Sequence, residues 1–306
     1  MNVTRPLVGI ILTAGNGTRL GPLTGGLMGT GTGISKGLNR IYDKPNIYYP
    51  LADMISVGIQ EVLIITAQND LHQYRAMLGD GSKYGIRIAY AVQKEQNGIA
   101  SAFVIGEAFI GMRDVCLMFA DNVFIGDEFI NCIKPTGPID GAQVFAVEVP
   151  NPCDFGVVEF DANGTVRSIE EKPAHPKSNF AVPGLYFYDS SVVEIAKQVQ
   201  PSDRGELEIS SVNEAYLARG KLAARKIDPT VTWMDTGTIE AILELEPLIR
   251  DYQRETGRLF GSPEIATFET GRISSDQLWQ LAEEKHLAKS EYGEMLRNYC
   301  LKFAFH

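Results

Sequence analysis

The sequence predicts an α/β fold, and three observations carry that expectation. Short apolar runs at 7–12, 61–66, 86–92 and 115–120 alternate with stretches of helical periodicity, the pattern of a mostly parallel sheet with helices on both faces. The first run breaks directly into a glycine-rich turn, Thr13-Ala14-Gly15-Asn16-Gly17-Thr18-Arg19-Leu20. From residue 142 onward the texture changes to alternating strands and hairpin turns. Together these describe a Rossmann-like sheet with an inserted β-rich segment and C-terminal helices. We expect residues 1–240 to form the α/β core with its insertion, and 241–306 a helical extension packed on it.

The elements follow in order. Leu7-Val8-Gly9-Ile10-Ile11-Leu12 is an apolar run bounded by a turn and reads as a buried strand. Gly25-Gly26-Leu27-Met28-Gly29-Thr30-Gly31-Thr32-Gly33 is too rich in glycine for helix or strand and reads as a mobile loop. Pro45 is expected to open an amphipathic helix to about Ser56, stopped by Gly58. A strand at Glu61–Thr66, a helix across Gln73–Leu78 and a strand at Ile86–Val92 come next. Gly98–Phe109 reads as one helix and Val115–Ala120 as a buried strand ending at Asp121-Asn122. Further on, Val157–Phe160 and Thr165–Ile169 flank Asp161-Ala162-Asn163-Gly164, a hairpin signature. Ala142–Val149 and Gly184–Tyr188 read as strands, Ser190–Gln198 and Glu206–Arg219 as helices. Val231–Met234 is a short strand that ends at Asp235. Thr238 is placed to cap a long helix to about Arg254. Leu278, Leu281, Leu287, Met295 and Leu296 mark core or interface positions of the last helices.

Composition narrows the class of function. The chain has 306 residues, 44% of them hydrophobic, and a formal net charge of −10, which argues against wrapping nucleic acid or lying on an anionic membrane. Cys116, Cys132, Cys153 and Cys300 form no C-x-x-C pair, which fits a reducing compartment without structural zinc. No apolar run has the length of a membrane span. The apolar start meets Gly-Asn-Gly rather than a small-residue cleavage site, so a cytoplasmic protein is expected. His72, His175, His286 and His306 lack metal-like spacing, and Trp233 reads as core.

A strand feeding a glycine-rich turn is one way to hold phosphates, because glycines let backbone N–H groups converge on anionic oxygens. Arg19 and Lys36 would add fixed charge. The turn matches neither standard phosphate loop: Leu20 stands where a dinucleotide fingerprint needs its third glycine, and Gly17-Thr18-Arg19 is not Gly-Lys-Ser/Thr. Taken alone it reads first as an ordinary Gly-Asn turn. In parallel sheets, however, ligands sit beyond the carboxyl ends of the strands. Both this turn and Asp121 belong to that edge.

A dozen short motifs occur in order along nearly the whole chain. They include Leu12–Leu20, Ser35-Lys36, Tyr42-Asp43-Lys44-Pro45, Ile47-Tyr48-Tyr49-Pro50-Leu51, Leu78-Gly79-Asp80-Gly81 and Ala120-Asp121-Asn122. The second half adds Phe155–Phe160, Glu170-Glu171-Lys172-Pro173, Lys177-Ser178-Asn179, Gly184–Asp189, Arg204–Ile209 and Asp235-Thr236-Gly237-Thr238. In this set the chain closely resembles the glucose-1-phosphate thymidylyltransferases, a family of sugar nucleotidyltransferases. The resemblance implies attack of a sugar 1-phosphate on the α-phosphorus of a nucleoside triphosphate, Mg²⁺ as cofactor, and a homotetramer. It implies that Arg19, Lys36 and Lys172 are catalytic, with Arg19 and Lys36 on the triphosphate and Lys172 on the sugar phosphate. Leu12, Ala14, Gly15, Gly17, Thr18, Gln93, Gly98 and Asp121 would line the nucleotide. Gly156, Glu171 and Val182 would lie near the sugar, and Asp121 and Asp235 would hold the metal. That chemistry asks for positioning and charge neutralisation more than for covalent help, and Mg²⁺ takes a few carboxylates plus phosphate oxygens and water.

The chain departs from the family pattern in four places. The interval from Arg19 to Lys36 is longer than usual, and Gly37 stands where the family has glutamine. Leu38-Asn39-Arg40 replaces two leucines and a proline, and Gln96 replaces a proline near the base. Arg40 either meets phosphate or faces solvent. Ala14 and Ala120 replace glycines and are tolerable where φ is negative. The best expectation is dTTP with glucose 1-phosphate. The alternatives are UTP, CTP or another phosphorylated substrate with the same chemistry, and a nucleotide-binding regulator without turnover.

Overall fold

The computed structural model describes residues 5–14, 35–95 and 97–303. The first half builds the parallel part of the sheet. Strand β1 (Leu7–Leu12) is followed by a 3₁₀ turn at Lys36–Leu38, a small hairpin of β2 (Arg40–Ile41) and β3 (Lys44–Pro45), and helix α1 (Tyr48–Ser56). Then come β4 (Glu61–Thr66), α2 (Leu71–Leu78), β5 (Arg87–Val92), α3 (Ser101–Ile105), α4 (Glu107–Ile110) and β6 (Asp114–Phe119). Strand β1 pairs in parallel with β4 and β6, and β4 with β5. Alternate sides of these strands feed two cores. Ile11, Ile64 and Met118 pack under α1, and Ile10, Leu63 and Leu117 pack under α3 and α4. Burial on both faces explains why these strands read as continuous apolar runs.

The second half is antiparallel at the centre and edge. Its elements are β7 (Asn122–Ile125), α5 (Phe129–Ile133), β8 (Ala142–Glu148), β9 (Gly156–Phe160), β10 (Val166–Glu171), β11 (Phe180–Val182), β12 (Leu185–Tyr188), α6 (Val192–Ala196) and α7 (Ile209–Ala218). After them run β13 (Leu222–Lys226), β14 (Thr232–Asp235), α8 (Ile239–Thr256), α9 (Pro263–Glu269), α10 (Ser275–Ala282) and α11 (Glu291–Phe303). Among the described residues, the main sheet has ten strands in the order β10-β9-β11-β8-β12-β6-β1-β4-β5, with β13 beside β8. The expected α/β class holds. Its parallel block is β5-β4-β1-β6, and the β-rich segment extends it through β12, antiparallel to β6.

Several element boundaries differ from expectation for local reasons. Pro45 lies in β3 opposite Arg40 rather than at a helix start, and α1 begins at Tyr48. The single helix expected over 98–109 is two short ones broken at Gly106, where a Cβ would crowd Ile10 and Leu63. Gly98, at φ 108°, lies outside both. Strand β7 was not foreseen; it pairs with β14, setting Asp235 opposite Asn122. Thr238 caps α8 by accepting the Ala241 N–H. The last helices close over Leu278, Leu281 and Leu296, with Leu287 and Met295 against them. No helix among the described residues is long and apolar enough to cross a membrane.

Candidate active site

Parallel pairing puts the carboxyl ends of β1 and β6 at one level, Leu12 beside Phe119. The Ala120 N–H donates to the Leu12 carbonyl, which carries the pairing one residue further. Beyond that edge lies a cavity of about 220 Å³ lined by Leu12, Thr13, Lys36, Ile99, Phe119, Ala120, Asp121 and Asp235. Lys36 Nζ stands 2.6 Å from Asp121 Oδ2. Asp235 enters from β14, whose antiparallel pairing with β7 fixes it next to the Asp121-Asn122 turn. The Thr236 N–H donates to the Asp121 carbonyl, and Asp235 Oδ1 accepts the Gly237 N–H. Asn46, fully buried, donates from Nδ2 to Thr236 Oγ1, which in turn donates to the Asp121 carbonyl. Thus Lys36, Asp121 and Asp235, far apart in the chain, line one cavity.

The donor set suits a divalent cation of the hard, oxygen-seeking kind. Two carboxylates on one cavity wall, with room for phosphate oxygens and water, are what Mg²⁺ accepts. Two carboxylates on one wall repel each other, and nearby positive charge offsets that repulsion. Lys36 supplies part of that charge. Among the described residues no group of three or more His, Cys, Asp and Glu is placed to hold a metal by itself. Substrate oxygens would have to complete the shell.

Gln93 and Gly98, expected near the base, also come together. Gln93 is buried, and its Nε2 donates to Ser101 Oγ at 2.8 Å and to the Gly98 carbonyl at 3.3 Å. Gly98 has no room for a side chain, since a Cβ would overlap the Leu207 backbone. The Leu207 N–H donates to the Asn97 carbonyl, and the Ala100 N–H to that of Leu207. This ties the 97–100 segment to the approach to α7.

A second group forms at the β9–β11 edge. Around Gly156, the positions of Glu171 Oε2, Ser210 Oγ and Val182 Cβ all lie within 3.6–3.7 Å of where a Cβ would be. Ser210 donates a short hydrogen bond to Glu171. Burial pushes the Glu171 carboxyl above its ordinary value, with Ser210, Lys172 and Arg204 opposing the shift and Glu208 adding to it. Lys172 is exposed and sits at φ 42°, a left-handed conformation rare outside glycine. Its N–H donates to the Phe155 carbonyl.

Asn122 links the two groups. Its Oδ1 accepts from the Gly184 N–H and from Trp233 Nε1, both at 2.8 Å, and its Nδ2 reaches Asp121 Oδ1 at 3.2 Å. Trp233, expected in the core, is half-buried and meets the Phe155 ring edge-on beside Gly156. Ser210 and Asn122 are the residues that sequence reasoning left out of its site. Asn122 stood inside a quoted motif; Ser210 gave only the weak signal of a hydroxyl in the first turn of a helix. Gly15, Gly17, Thr18, Arg19 and Gln96 lie outside the described residues. Ala14 and Ala120 are buried and neither has positive φ, so their methyl groups are tolerated. Arg40 is exposed on β2 and is not part of the cavity wall.

The sheet order and the two aspartates at one strand-end cavity fit a nucleotide-transferring enzyme. The chain belongs to the nucleotidyl transferase family, whose model matches residues 8–251. Within that family, the curated proteins it matches include glucose-1-phosphate thymidylyltransferases. The enzyme of Neisseria meningitidis serogroup A is 46% identical over 289 residues, covering 94% of this chain and 97% of its own. That of Mycolicibacterium smegmatis is 44% identical over 288 residues, with the same coverage. A crystal structure from Bacillus anthracis, assigned to glucose-1-phosphate thymidylyltransferase and holding sucrose, superposes with a TM-score of 0.69. It is 34% identical and covers 80% of this chain and 96% of its own. UDP-glucose pyrophosphorylase complexed with UDP-glucose shares the fold, at a TM-score of 0.68 and 22% identity, over 81% of this chain and 99% of its own.

Proposed function

We propose that this chain joins dTTP and glucose 1-phosphate, releasing pyrophosphate. The observation that carries the reading is the meeting of Lys36, Asp121 and Asp235 at one cavity. A phosphate oxygen of the sugar phosphate attacks the α-phosphorus, the bond to the bridging β-oxygen breaks, and pyrophosphate leaves with that electron pair. Lys36 neutralises triphosphate oxygens and is itself held by Asp121. Arg19 serves the same triphosphate. Asp121 and Asp235 hold Mg²⁺, which when bound offsets charge on the phosphates and orients them. Lys172 receives the sugar phosphate, and Glu171, Gly156 and Val182 wall the sugar, to which we add Ser210. Glu171 and Ser210 are well suited to hydrogen-bond sugar hydroxyls. The base is received near Gln93 and Gly98, and Leu12, Ala14, Gly15, Gly17 and Thr18 border the nucleotide.

The test is a coupled pyrophosphate-release assay with Mg²⁺, run over dTTP, UTP and CTP against several sugar 1-phosphates. Fastest release with dTTP and glucose 1-phosphate supports the reading. Preference for another pair shifts the substrates and keeps the chemistry. Nucleotide binding by calorimetry with no release from any pair points to a regulator. Self-association into a homotetramer is part of the same proposal. It is favoured by Ile239 and Leu243, exposed at 43% and 63% one turn apart on α8, and light scattering checks it.

A further inference from the structure

Gly37 directly follows Lys36 and is buried, but its φ is not in the left-handed region. Backbone conformation therefore gives no reason for glycine there. Space does. A Cβ at residue 37 would lie 2.5 Å from the Tyr74 hydroxyl oxygen and 3.0 Å from the Ala120 Cβ. The volume beside Lys36 that a side chain at 37 would fill is occupied by the end of Tyr74, reaching across from α2.

That hydroxyl is engaged. Tyr74 is wholly buried, and its oxygen lies 2.7 Å from Ser35 Oγ. Ser35 Oγ also lies 2.8 Å from the Thr13 carbonyl, to which it donates. A serine hydroxyl has one hydrogen. With it committed to Thr13, Tyr74 must be the donor to Ser35. Burial pushes the Tyr74 phenol well above its ordinary value, which keeps that proton in place near neutrality. Asp70, just before α2, accepts the Ser35 backbone N–H. Helix α2 thus grips Ser35 at two points and, through it, the carboxyl end of β1. Residue 35 is the immediate neighbour of Lys36, and Gly37 accepts at its carbonyl from the Ile47 N–H. The 3₁₀ turn carrying Lys36 is held from both sides.

We propose that Tyr74 is a positioning residue for the nucleotidyl transfer: it sets the Lys36 turn against Asp121, and Gly37 lacks a side chain to admit its hydroxyl. Tyr74 and Gly37 are a coupled pair. This rests on the proposed function, and a second readout separates the two.

The experiment is a cycle of four proteins: wild type, Tyr74→Phe, Gly37→Ala and the double variant. Each is measured for kcat, for KM of dTTP and of glucose 1-phosphate, and for melting temperature. Tyr74→Phe loses one buried hydrogen bond while keeping the ring. It should lower kcat/KM for dTTP by about tenfold and leave KM for glucose 1-phosphate nearly unchanged. Gly37→Ala forces the turn away from Tyr74 and should cost about 100-fold, as misplacement near 1 Å does. In the double variant the hydroxyl is gone and the new methyl keeps only its tight approach to Ala120. Its kcat/KM should fall within about threefold of Tyr74→Phe alone, well above the product of the two single losses. Losses that simply multiply, an unimpaired Gly37→Ala, or a kinetically silent Tyr74→Phe would each overturn the proposal. Should wild type release no pyrophosphate from any substrate pair, the functional reading fails instead. The pair is then judged by melting, where Tyr74→Phe must recover most of the loss caused by Gly37→Ala.

Discussion

Lys36 Nζ and Asp121 Oδ2 stand 2.6 Å apart, with side chains 16% and 15% exposed. They reach this contact from adjacent parallel strands, Lys36 from the turn that follows β1 and Asp121 from the end of β6. A part-buried pair is costly to break from one side only, because the partner keeps its charge in a poor solvent.

That relationship makes the carboxylates testable. Asp121→Asn and Asp235→Asn each remove one negative charge and change volume little. Each should lower turnover by about 100-fold or more, since even outer partners of a metal ligand cost 10–100-fold. The melting temperature should move little in Asp235→Asn and fall by several degrees in Asp121→Asn, which leaves Lys36 without its partner carboxylate. The Mg²⁺ concentration for half-maximal rate should rise in both. A variant that turns over near the wild-type rate would remove its aspartate from the metal assignment.

The sugar wall gives a cleaner contrast. A methyl at residue 156 would sit in ordinary contact with Glu171, Ser210 and Val182, with no overlap. Gly156→Ala should therefore fold normally and place its methyl among the groups assigned to the sugar. KM for glucose 1-phosphate should rise about tenfold, within the 10–200-fold range of one methylene in a fitted pocket. KM for dTTP should stay put. Equal rises in both constants would mean that Gly156 does not border the sugar alone.

Much of this site was legible because its parts follow strand ends. Leu7–Leu12 and Glu61–Thr66 are apolar throughout, so the strands and their carboxyl-edge turns could be read without the fold. Asp121 followed from that edge, and Lys36 and Asp235 from the family resemblance. What escaped was set by partners distant in sequence. Pro45 is the exception, since it pairs across a short local hairpin with Arg40 and does not start a helix. Gly106, at the break between two helices, faces Ile10 and Leu63, which leave little room for a side chain there. Asn122–Ile125 is a strand only because β14 returns more than a hundred residues later to pair with it. Gly37 stands where the family has glutamine, and the atom that fills its place comes from Tyr74, distant in sequence. Periodicity reports which face is buried, not what buries it.

Asp53, on α1, offers a pH test of stability. Burial alone holds its carboxyl well above the ordinary carboxylate range. The folded protein then keeps this proton to higher pH than the unfolded chain does. The contribution is fully present below the unfolded carboxyl's value and is lost as pH rises through the folded one. Asp53→Asn has nearly the same shape and no charge to bury. Its melting temperature should match wild type at pH 4 and exceed it increasingly toward pH 8. A gap that opens in the acid direction would mean that the ionised carboxylate is stabilised by a cation, against the burial account.

Lys172 joins backbone strain to a proposed role. Its φ of 42° is a conformation that costs a residue with a side chain about 1 kcal/mol or more. A backbone pays that only where its surroundings hold it, here through the Lys172 N–H on the Phe155 carbonyl at the exit of β10. Glycine has no such penalty. Lys172→Gly should thus keep the turn and raise stability by about 1 kcal/mol, a gain of roughly 2–4 °C for a chain of this size. It also deletes the cation assigned to the sugar phosphate, so KM for glucose 1-phosphate should rise by about 100-fold while dTTP binding is held. Lys172→Met, which keeps the strain and loses the charge, should show the same kinetic defect without the stability gain. If Lys172→Gly melted lower than wild type, the positive φ would not be a source of strain. If Lys172→Met kept a normal KM, the lysine charge would not be what receives the phosphate.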